Sequence, residues 1–391
     1  MHMTSSLFLI RYGTNEGYAL EKMERAFYDV GVELADGASD QVHFAYANLE
    51  RGAPRSLPAG FGNLVAFDLS HPSNADIERL AAYVRERRIE LVVPFDLQPV
   101  HPLYRPLRHA GAKTIVGYWG APISSLSPPW KLVAKRLEIA LSPNRADGLL
   151  FESRAMAALA VQGRGFPRRQ VDVVPLGVDL GLYAPGPSTL AHEAFNFPPS
   201  LRIVVFAGHI YEGKGIGVLI EAALDLLERR ARNDVCFLLL GNRAREHESF
   251  ESTYAGRPCS ELIRFGGYRR DVAEILRGCF CGVVPSLVAE SYAFSGVEMA
   301  ASGLPVVASR IGGLTDSVLD GVTGTLFEPG DARALADALE ALLNAPDLAE
   351  KMGRAARARC ERELSLAAHR ARLLAVFRKR IKESRRAKWR F

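Results

Sequence analysis

The sequence predicts an α/β protein made of two domains, each with a parallel β-sheet covered by helices on both faces. Short apolar runs typical of buried strands alternate with stretches of helical periodicity along almost the whole chain. A segment rich in glycine and proline, residues 175–188, interrupts this alternation, which then restarts. The length of 391 residues fits two or three domains. We therefore expect a first domain at residues 1–176, a second at 177–369 and a basic C-terminal helix at 370–391.

The first domain is predicted to alternate seven strands with five helices. The strands are expected at residues 7–10, 42–46, 64–69, 91–95, 114–116, 148–151 and 171–174, and the helices at 16–30, 75–88, 99–109, 131–141 and 154–162. Asparagine and serine are favoured N-cap residues because their side-chain oxygens accept hydrogen bonds from the first backbone amides of a helix. Asn15 and Ser153 each precede a predicted helix, so we predict that both are N-caps.

The second domain and the tail follow from the same analysis. Strands are expected at residues 201–207, 235–240, 261–265, 282–285 and 304–308, and helices at 216–230, 294–302, 331–344 and 346–362. The net charge of +5 is concentrated in residues 370–391, which hold ten Lys/Arg and one Glu. Because the basic residues are not spread over the fold, we expect no nucleic-acid partner. The tail helix is expected to pack onto the first domain, and the alternative is contact with an anionic membrane.

The composition is that of an ordinary globular protein, with 48% hydrophobic and 24% charged residues. No run approaches the roughly 18 apolar residues of a membrane span, and the first apolar run is too short for a signal peptide. The five cysteines lack the spacing of a zinc site, so reduced thiols are expected. These features predict a cytoplasmic protein, with peripheral association at the inner face of the membrane through the basic tail as the alternative.

Two glutamates stand out in the stretch that organises the second domain, residues 282–316. Glu290 lies in the loop after a predicted strand, and Glu298 lies in the helix that follows. Ligands of doubly wound sheets bind beyond the carboxyl ends of the strands, so both carboxylates are placed to contact a ligand. Backbone amides at a helix N-terminus bind phosphate. In this chain the backbone amides of Tyr292, Ala293 and Phe294 are expected to bind phosphate in this way.

The pattern Glu290-x7-Glu298, followed by GLPVVAS and GGLTD, resembles the donor-sugar signature of family-4 retaining glycosyltransferases. The resemblance extends over residues 173–343 and is only topological before them. It implies the GT-B fold, in which two Rossmann-like domains face each other across a cleft. It also implies that Glu298 binds the ribose hydroxyls of a nucleotide-sugar and Glu290 the hydroxyls of its sugar. The alternative is that both glutamates are solvated surface charges.

A glycine-rich loop between a strand and a helix indicates a phosphate site at residues 203–221. The string Gly208-x4-Gly213-Lys214 approaches the P-loop pattern, but Gly215 stands where that motif needs Ser or Thr. The glycosyltransferase resemblance implies instead that Gly208 and Lys214 contact the donor diphosphate, with His209 where the family has arginine. The alternatives are that Lys214 is a solvated surface lysine and that His209 packs against the loop as a neutral side chain.

The remaining donor contacts and the acceptor contacts rest on weaker patterns. The stretch RFGGYRRD, residues 264–271, resembles the segment that packs the nucleobase, so Gly267 and Tyr268 are expected there. Many relatives carry a histidine near the reaction centre where this chain reads GYWGAPIS. The acceptor-side candidates are Gly13, Asn15, Glu16, Asp96 and Trp119, each with a turn, cap or packing role as the alternative.

Together these features predict a retaining glycosyltransferase of hexosyl type, with Lys214, Glu290 and Asp96 as catalytic candidates. Its partners would be a nucleotide-sugar donor, with UDP favoured, and a sugar, lipid-linked or small-molecule acceptor. No metal and no other cofactor are expected. One alternative is a non-catalytic GT-B protein that binds a nucleotide-sugar or glycan. Another is a GT-B nucleotide-sugar epimerase, which would need an additional acid–base set at the sugar carbon.

Overall fold

The computed structural model describes residues 3–121, 127–241 and 247–387. The chain divides into two compact units. The first comprises Met1–Pro175 together with Ala367–Phe391, and the second comprises Leu176–Leu366. In the described part of the chain, no helix is both long and apolar enough to cross a membrane.

The first unit is a parallel α/β domain. Its strands are β1 (Ser6–Ile10), β2 (Val42–Tyr46), β3 (Leu64–Ala66), β4 (Leu91–Phe95), β5 (Thr114–Trp119), β6 (Gly148–Phe151) and β7 (Val171–Val173). Its helices are α1 (Tyr18–Leu34), α2 (Asn74–Glu86), α3 (Tyr104–Ala110), α4 (Pro129–Leu141) and α5 (Arg154–Arg164). The strand order is β3-β2-β1-β4-β5-β6-β7. All residues of β1, β2 and β4 are buried, because helices cover both faces of a parallel sheet.

The second unit repeats this architecture with a six-stranded sheet. Its strands are β8 (Arg202–Ala207), β9 (Val235–Leu240), β10 (Ile263–Gly267), β11 (Cys281–Val284), β12 (Val306–Ser309) and β13 (Gly324–Phe327). Its helices are α6 (Leu190–Phe195), α7 (Ile216–Leu224), α8 (Glu248–Glu251), α9 (Val272–Arg277), α10 (Phe294–Ala301), α11 (Leu314–Ser317), α12 (Ala332–Asn344) and α13 (Pro346–Glu363). The order is β10-β9-β8-β11-β12-β13, so both sheets place their first strand between the second and the fourth.

The two predicted N-caps differ in outcome. Ser153 is an N-cap as predicted, since its Oγ accepts a hydrogen bond from the amide of Met156 at 3.2 Å. Asn15 is not an N-cap, because α1 begins only after Gly17. With a φ of 57°, Asn15 instead donates from its amide group to the carbonyls of Arg51 and Ala53. The short strand β13, which was not predicted, completes the second sheet.

The final helix, α14 (Leu366–Ala387), packs on the first domain. Arg380 is 3% exposed, and its guanidinium forms an ion pair with Asp172, which lies in β7 opposite Leu150 of β6. Lys379 Nζ reaches the same carboxylate at 2.7 Å, and Arg385 pairs with Glu90 at 3.2 Å. Several of the tail's cations are therefore used within the domain. The tail was predicted to be loose or membrane-facing from Arg385 onward, and residues 388–391 lie outside the described part.

His369 joins α14 to the end of the first domain, with Nδ1 donating to the carbonyl of Pro175 at 2.7 Å. Burial lowers the pKa of His369 from its ordinary value of 6.5 to about 4. The unfolded chain therefore binds a proton more readily, and stability must fall as the pH drops below 6.5. Between about pH 7 and pH 5 the expected loss from this residue is about 2 kcal/mol.

We expect the His369→Asn variant, which keeps a side-chain donor but does not titrate, to lose less stability on acidification. Urea unfolding at both pH values measures the difference. His109→Asn, at an exposed histidine, is the matched control and should behave as wild type. Equal pH dependence in wild type and His369→Asn would contradict the prediction.

Candidate active site

In each sheet, two adjacent strands lead into loops that go to opposite sides, and ligands bind at such switch points. In the second domain these strands are β8 and β11, which pair through Val204 with Cys281 and Val205 with Gly282. The loop after β8 carries Lys214, and the loop after β11 carries Glu290. The strand order thus brings the two predicted residues to neighbouring loops, although they are 76 positions apart in the sequence.

Lys214 and Glu290 form an ion pair in which Nζ lies 2.6 Å from Oε1. The Oγ of Ser286 donates to the same carboxylate oxygen at 2.6 Å. The side chains of Lys214 and Glu290 are 22% and 12% exposed, so the pair is largely desolvated yet still reachable by a ligand. An ammonium held in this way is a preorganised positive charge, which favours a negative charge that develops nearby.

Backbone contacts fix the two loops against each other. The carbonyl of Gly213 accepts hydrogen bonds from the amides of Leu287 at 2.9 Å and Val288 at 3.3 Å. At Gly215, a Cβ atom would lie 1.8 Å from the carbonyl oxygen of Pro285, and φ is +72°. Only glycine allows this approach and this backbone conformation together. Gly215, which does not fit the P-loop motif, is therefore the residue that allows the loops after β8 and β11 to approach each other.

A second turn supports Glu290 from behind. The amide of Gly313 donates to the carbonyl of Glu290 at 2.7 Å. Arg359, on α13, donates to the carbonyls of Asp316 and Ser317 at 2.6 Å each. Arg359 was not predicted, because a single arginine on an amphipathic helix gives no sequence signal. Arg359 holds the segment from Gly313 to Ser317, and this segment holds Glu290 through the amide of Gly313.

Helix α10 starts from a residue in an unusual conformation. Ala293 has a φ of 65°, which is strained for a residue other than glycine and is often found at functional sites. Its methyl group cannot cap the first amides of α10. Glu298 lies in the second turn of this helix and is 7% exposed, while Tyr292 is buried and burial raises its pKa to about 12. Phe294 is the first residue of α10.

Three glycines line the carboxyl ends of β8, β9 and β10. Gly208 donates to the carbonyl of Leu240, and Gly241 donates to the carbonyl of Gly267 at 2.9 Å. A Cβ at Gly241 would lie 1.6 Å from the carbonyl oxygen of Gly208. The result is an edge made of backbone, which suits a flat ligand bound through main-chain groups. Gly241 was not predicted, although a glycine directly after a buried LLL run could have indicated it.

Two predicted donor-side residues flank this edge with exposed side chains. His209 follows Gly208 and is exposed. Tyr268 follows Gly267 and is 64% exposed. Both side chains are therefore accessible to a ligand bound at this edge.

In the first domain, Asp96 occupies the corresponding switch point at the end of β4. Its Oδ1 accepts hydrogen bonds from the amides of Gly120 at 2.8 Å and Ala121 at 3.0 Å, and its Oδ2 accepts one from the hydroxyl of Tyr12. Asp96 is 6% exposed, and burial raises its pKa. Its φ of 57° turns the chain sharply at this point. Asp96 therefore organises the loops after β1 and β5.

The other acceptor-side candidates lie on those loops. Gly13 lies close to two polar side chains, since a Cβ there would be 2.6 Å from Asn48 Oδ1 and 2.7 Å from Glu16 Oε1, and both side-chain ends would have to move. Glu16 itself is exposed. Trp119 ends β5 and borders a cavity of about 240 Å³, and its buried Nε1 has no hydrogen-bond partner among the described residues. Other residues lining this cavity are Gln98, Lys135, Phe151, Arg164 and Phe166.

Within residues 3–121, 127–241 and 247–387, no group of three or more His, Cys, Asp or Glu side chains is arranged to hold a metal ion. All five cysteines are free thiols. Burial raises the pKa of the Cys236 and Cys281 thiols to about 12, so both are held in the unreactive protonated form.

Comparison with known proteins agrees with this geometry. Residues 201–345 match the family model described as glycosyl transferases group 1. The second domain is a group 1 glycosyl transferase domain. This confirms the family resemblance inferred from the two glutamates and the segments that follow them.

Relatives and solved structures extend the similarity beyond this domain. The D-inositol 3-phosphate glycosyltransferase of Nocardia farcinica is 32% identical over 53% of this chain and 47% of its own length. The enzyme of that name from Arthrobacter sp. is 29% identical over 79% and 74%. The matches of several such relatives thus span about half of their own length. Anabaena Alr3699/HepE in complex with UDP is 18% identical, with a TM-score of 0.76 over 96% of this chain and 100% of that one. The predicted GT-B fold is confirmed.

Proposed function

We propose that this protein is a retaining glycosyltransferase that moves a hexosyl group from a UDP-sugar to an acceptor hydroxyl. The observation that carries the proposal is the Lys214–Glu290 ion pair at the switch point of a group 1 glycosyl transferase domain. In this proposal the ammonium of Lys214 contacts the donor diphosphate, and the neighbouring carboxylate of Glu290 accepts hydroxyls of the sugar.

The proposed reaction uses the two side chains at different atoms. The bond between the anomeric carbon and the diphosphate oxygen breaks, and a bond to the acceptor oxygen forms on the same face of the sugar. The acceptor proton passes to the departing phosphate oxygen. Negative charge grows on the nucleoside diphosphate, and Lys214 stabilises it. Glu290 orients the sugar, and Ser286 and the amide of Gly313 hold Glu290 in place.

The comparisons guide the choice of substrates to test. HepE was solved with UDP, which favours a uridine nucleotide as the donor base. The relatives are named for D-inositol 3-phosphate, so this phosphorylated cyclitol is the first acceptor to test. A lipid-linked acceptor is the second. The cavity at Trp119 contains Lys135 and Arg164, which suit a phosphorylated acceptor.

The test is a two-stage assay with the full chain. Thermal shift with UDP-, GDP- and dTDP-sugars identifies the donor, and release of nucleoside diphosphate with and without acceptor then measures transfer. Nuclear magnetic resonance of the product gives its anomeric configuration. An inverted product would contradict the retaining mechanism. Donor binding without release would favour a non-catalytic binding protein, and conversion of the donor into its epimer would favour the epimerase.

His209 supplies a prediction for donor binding. Arginine binds a diphosphate through two parallel, charge-assisted hydrogen bonds, which a histidine cannot form. Where His209 contacts the diphosphate, His209→Arg should therefore tighten donor binding several-fold. Calorimetric titration of both proteins with the donor measures the difference. His109→Arg, at an exposed histidine of the first domain, is the control and should bind the donor as wild type. Equal dissociation constants for wild type and His209→Arg would remove His209 from the donor site.

A further inference from the structure

Helix α4 of the first domain carries an apolar stripe that faces solvent. Trp130 is 76% exposed, Val133 62%, Leu137 55% and Leu141 78%. Their spacing of three, four and four positions places them within about 80° of one another around the helix, at about 100° per residue. Large apolar side chains exposed one at a time are ordinary, but an uninterrupted stripe along a whole helix marks an interaction surface.

The opposite face of α4 holds the helix on the domain. Ile139 is 7% exposed and supplies the buried contact. Arg145 donates to the carbonyls of Ile139 and Ala140, which fixes the C-terminal turn. Near the other end, the backbone amide of Ser127 donates to the carbonyl of Gly163 at 2.8 Å. The stripe is therefore the outer face of an anchored helix. Rotating α4 to turn the stripe towards the domain would break the contacts of its opposite face.

Basic residues border the stripe on both sides. Lys131 lies on one side, with Nζ 4.7 Å from the centre of the Trp130 ring, and Arg136 lies on the other. Glu138, the single acidic residue of α4, lies on the same side as Lys131 and is 3.7 Å from Lys135, which offsets its charge. An apolar face with tryptophan at one end and lysine or arginine along its borders is typical of helices that lie in a membrane interface.

We propose that the outer face of α4 inserts into the interface of an anionic phospholipid bilayer. A second copy of the chain fits less well, because two such faces packed together would bring their basic borders into contact. The C-terminal helix is the other basic element, but Arg380, Lys379 and Arg385 pair with carboxylates of the first domain. This assignment does not depend on the proposed transferase activity.

The experiment is co-sedimentation of the full chain with vesicles of phosphatidylcholine, with and without phosphatidylglycerol. We expect binding to the anionic vesicles and weak binding to the neutral ones. Val133→Asp combined with Leu137→Asp should weaken anionic-vesicle binding about a hundredfold, because it removes two inserted apolar side chains. Lys131→Ala combined with Arg136→Ala should weaken it about 25-fold, at about fivefold for each charge.

The matched control is Leu348→Asp, which places the same charge at an exposed leucine of the second domain and should bind as wild type. Thermal unfolding verifies that all variants are folded. We expect them to fold because the altered side chains are exposed. Wild type that stays in the supernatant, or an aspartate double variant that sediments like wild type, overturns the proposal. So does a wild-type dimer in lipid-free sedimentation that the double variant abolishes, because the stripe would then bind a second copy.

Discussion

Lys214→Ala is expected to lower turnover about a hundredfold or more on the identified donor. In the proposed reaction the lysine stabilises the negative charge on the departing diphosphate, and its Nζ is held 2.6 Å from Glu290. A charge fixed before the reaction stabilises the transition state without having to reorganise. The free energy of unfolding should change by about 1 kcal/mol or less, because Lys214 is partly solvated and Glu290 retains the hydrogen bond from Ser286.

Two variants control for general effects of this substitution. Lys351→Ala removes an exposed lysine from α13 and should leave turnover unchanged. Lys214→Arg keeps the charge and should retain more activity than the alanine variant. Near-normal turnover of Lys214→Ala would exclude the assigned role, whereas a large loss of stability would show that the pair is mainly structural.

A double-mutant cycle with Glu290→Gln completes this test. Groups that act on one transition state lose activity non-additively when both are changed. The double variant should therefore be less impaired than the product of the two single effects. Full additivity would indicate that the two side chains act independently, despite their contact.

The repeated strand–helix alternation and the two glutamates were enough to predict the fold and the family. Each is a local pattern, since strands and helices follow from neighbouring residues and the signature occupies one continuous stretch. Asn15 shows the limit of such patterns, because its side chain bonds to Arg51, Ala53 and Arg55 instead of the adjacent helix. The sequence alone does not distinguish an asparagine that caps the next helix from one that bonds to the backbone of a distant loop.

The support of the site could not be predicted, because it depends on contacts between distant segments. Arg359 reaches Asp316 and Ser317 from another helix, and Gly241 meets Gly208 across neighbouring strands. The exposed stripe of α4 was missed for a related reason. The helix has apolar residues on both its inner and outer faces, and the sequence alone does not show which face the domain covers.

Gly215→Ala tests the most restrictive of these distant contacts. The added Cβ would stand 1.8 Å from the carbonyl oxygen of Pro285, and alanine disfavours the φ of +72°. Since the clash is with backbone, no side-chain rotation relieves it, and the loop that carries Lys214 must move. We expect the free energy of unfolding to fall by about 2–4 kcal/mol. Turnover should fall about a hundredfold, because a displacement of about 1 Å is enough to misplace a catalytic group.

Gly217→Ala is the matched control for Gly215→Ala, two residues further along the same segment. A Cβ there has no neighbour within 4 Å among the described residues, and Gly217 lies inside α7. Alanine is favoured over glycine in a helix, so this variant should gain about 0.5–1 kcal/mol in stability and keep wild-type turnover. Chemical unfolding and donor-dependent release of nucleoside diphosphate compare the two variants directly. If Gly215→Ala resembled Gly217→Ala in both measurements, the loops would not need this close approach, and Lys214 would be positioned by something other than the Gly215–Pro285 contact.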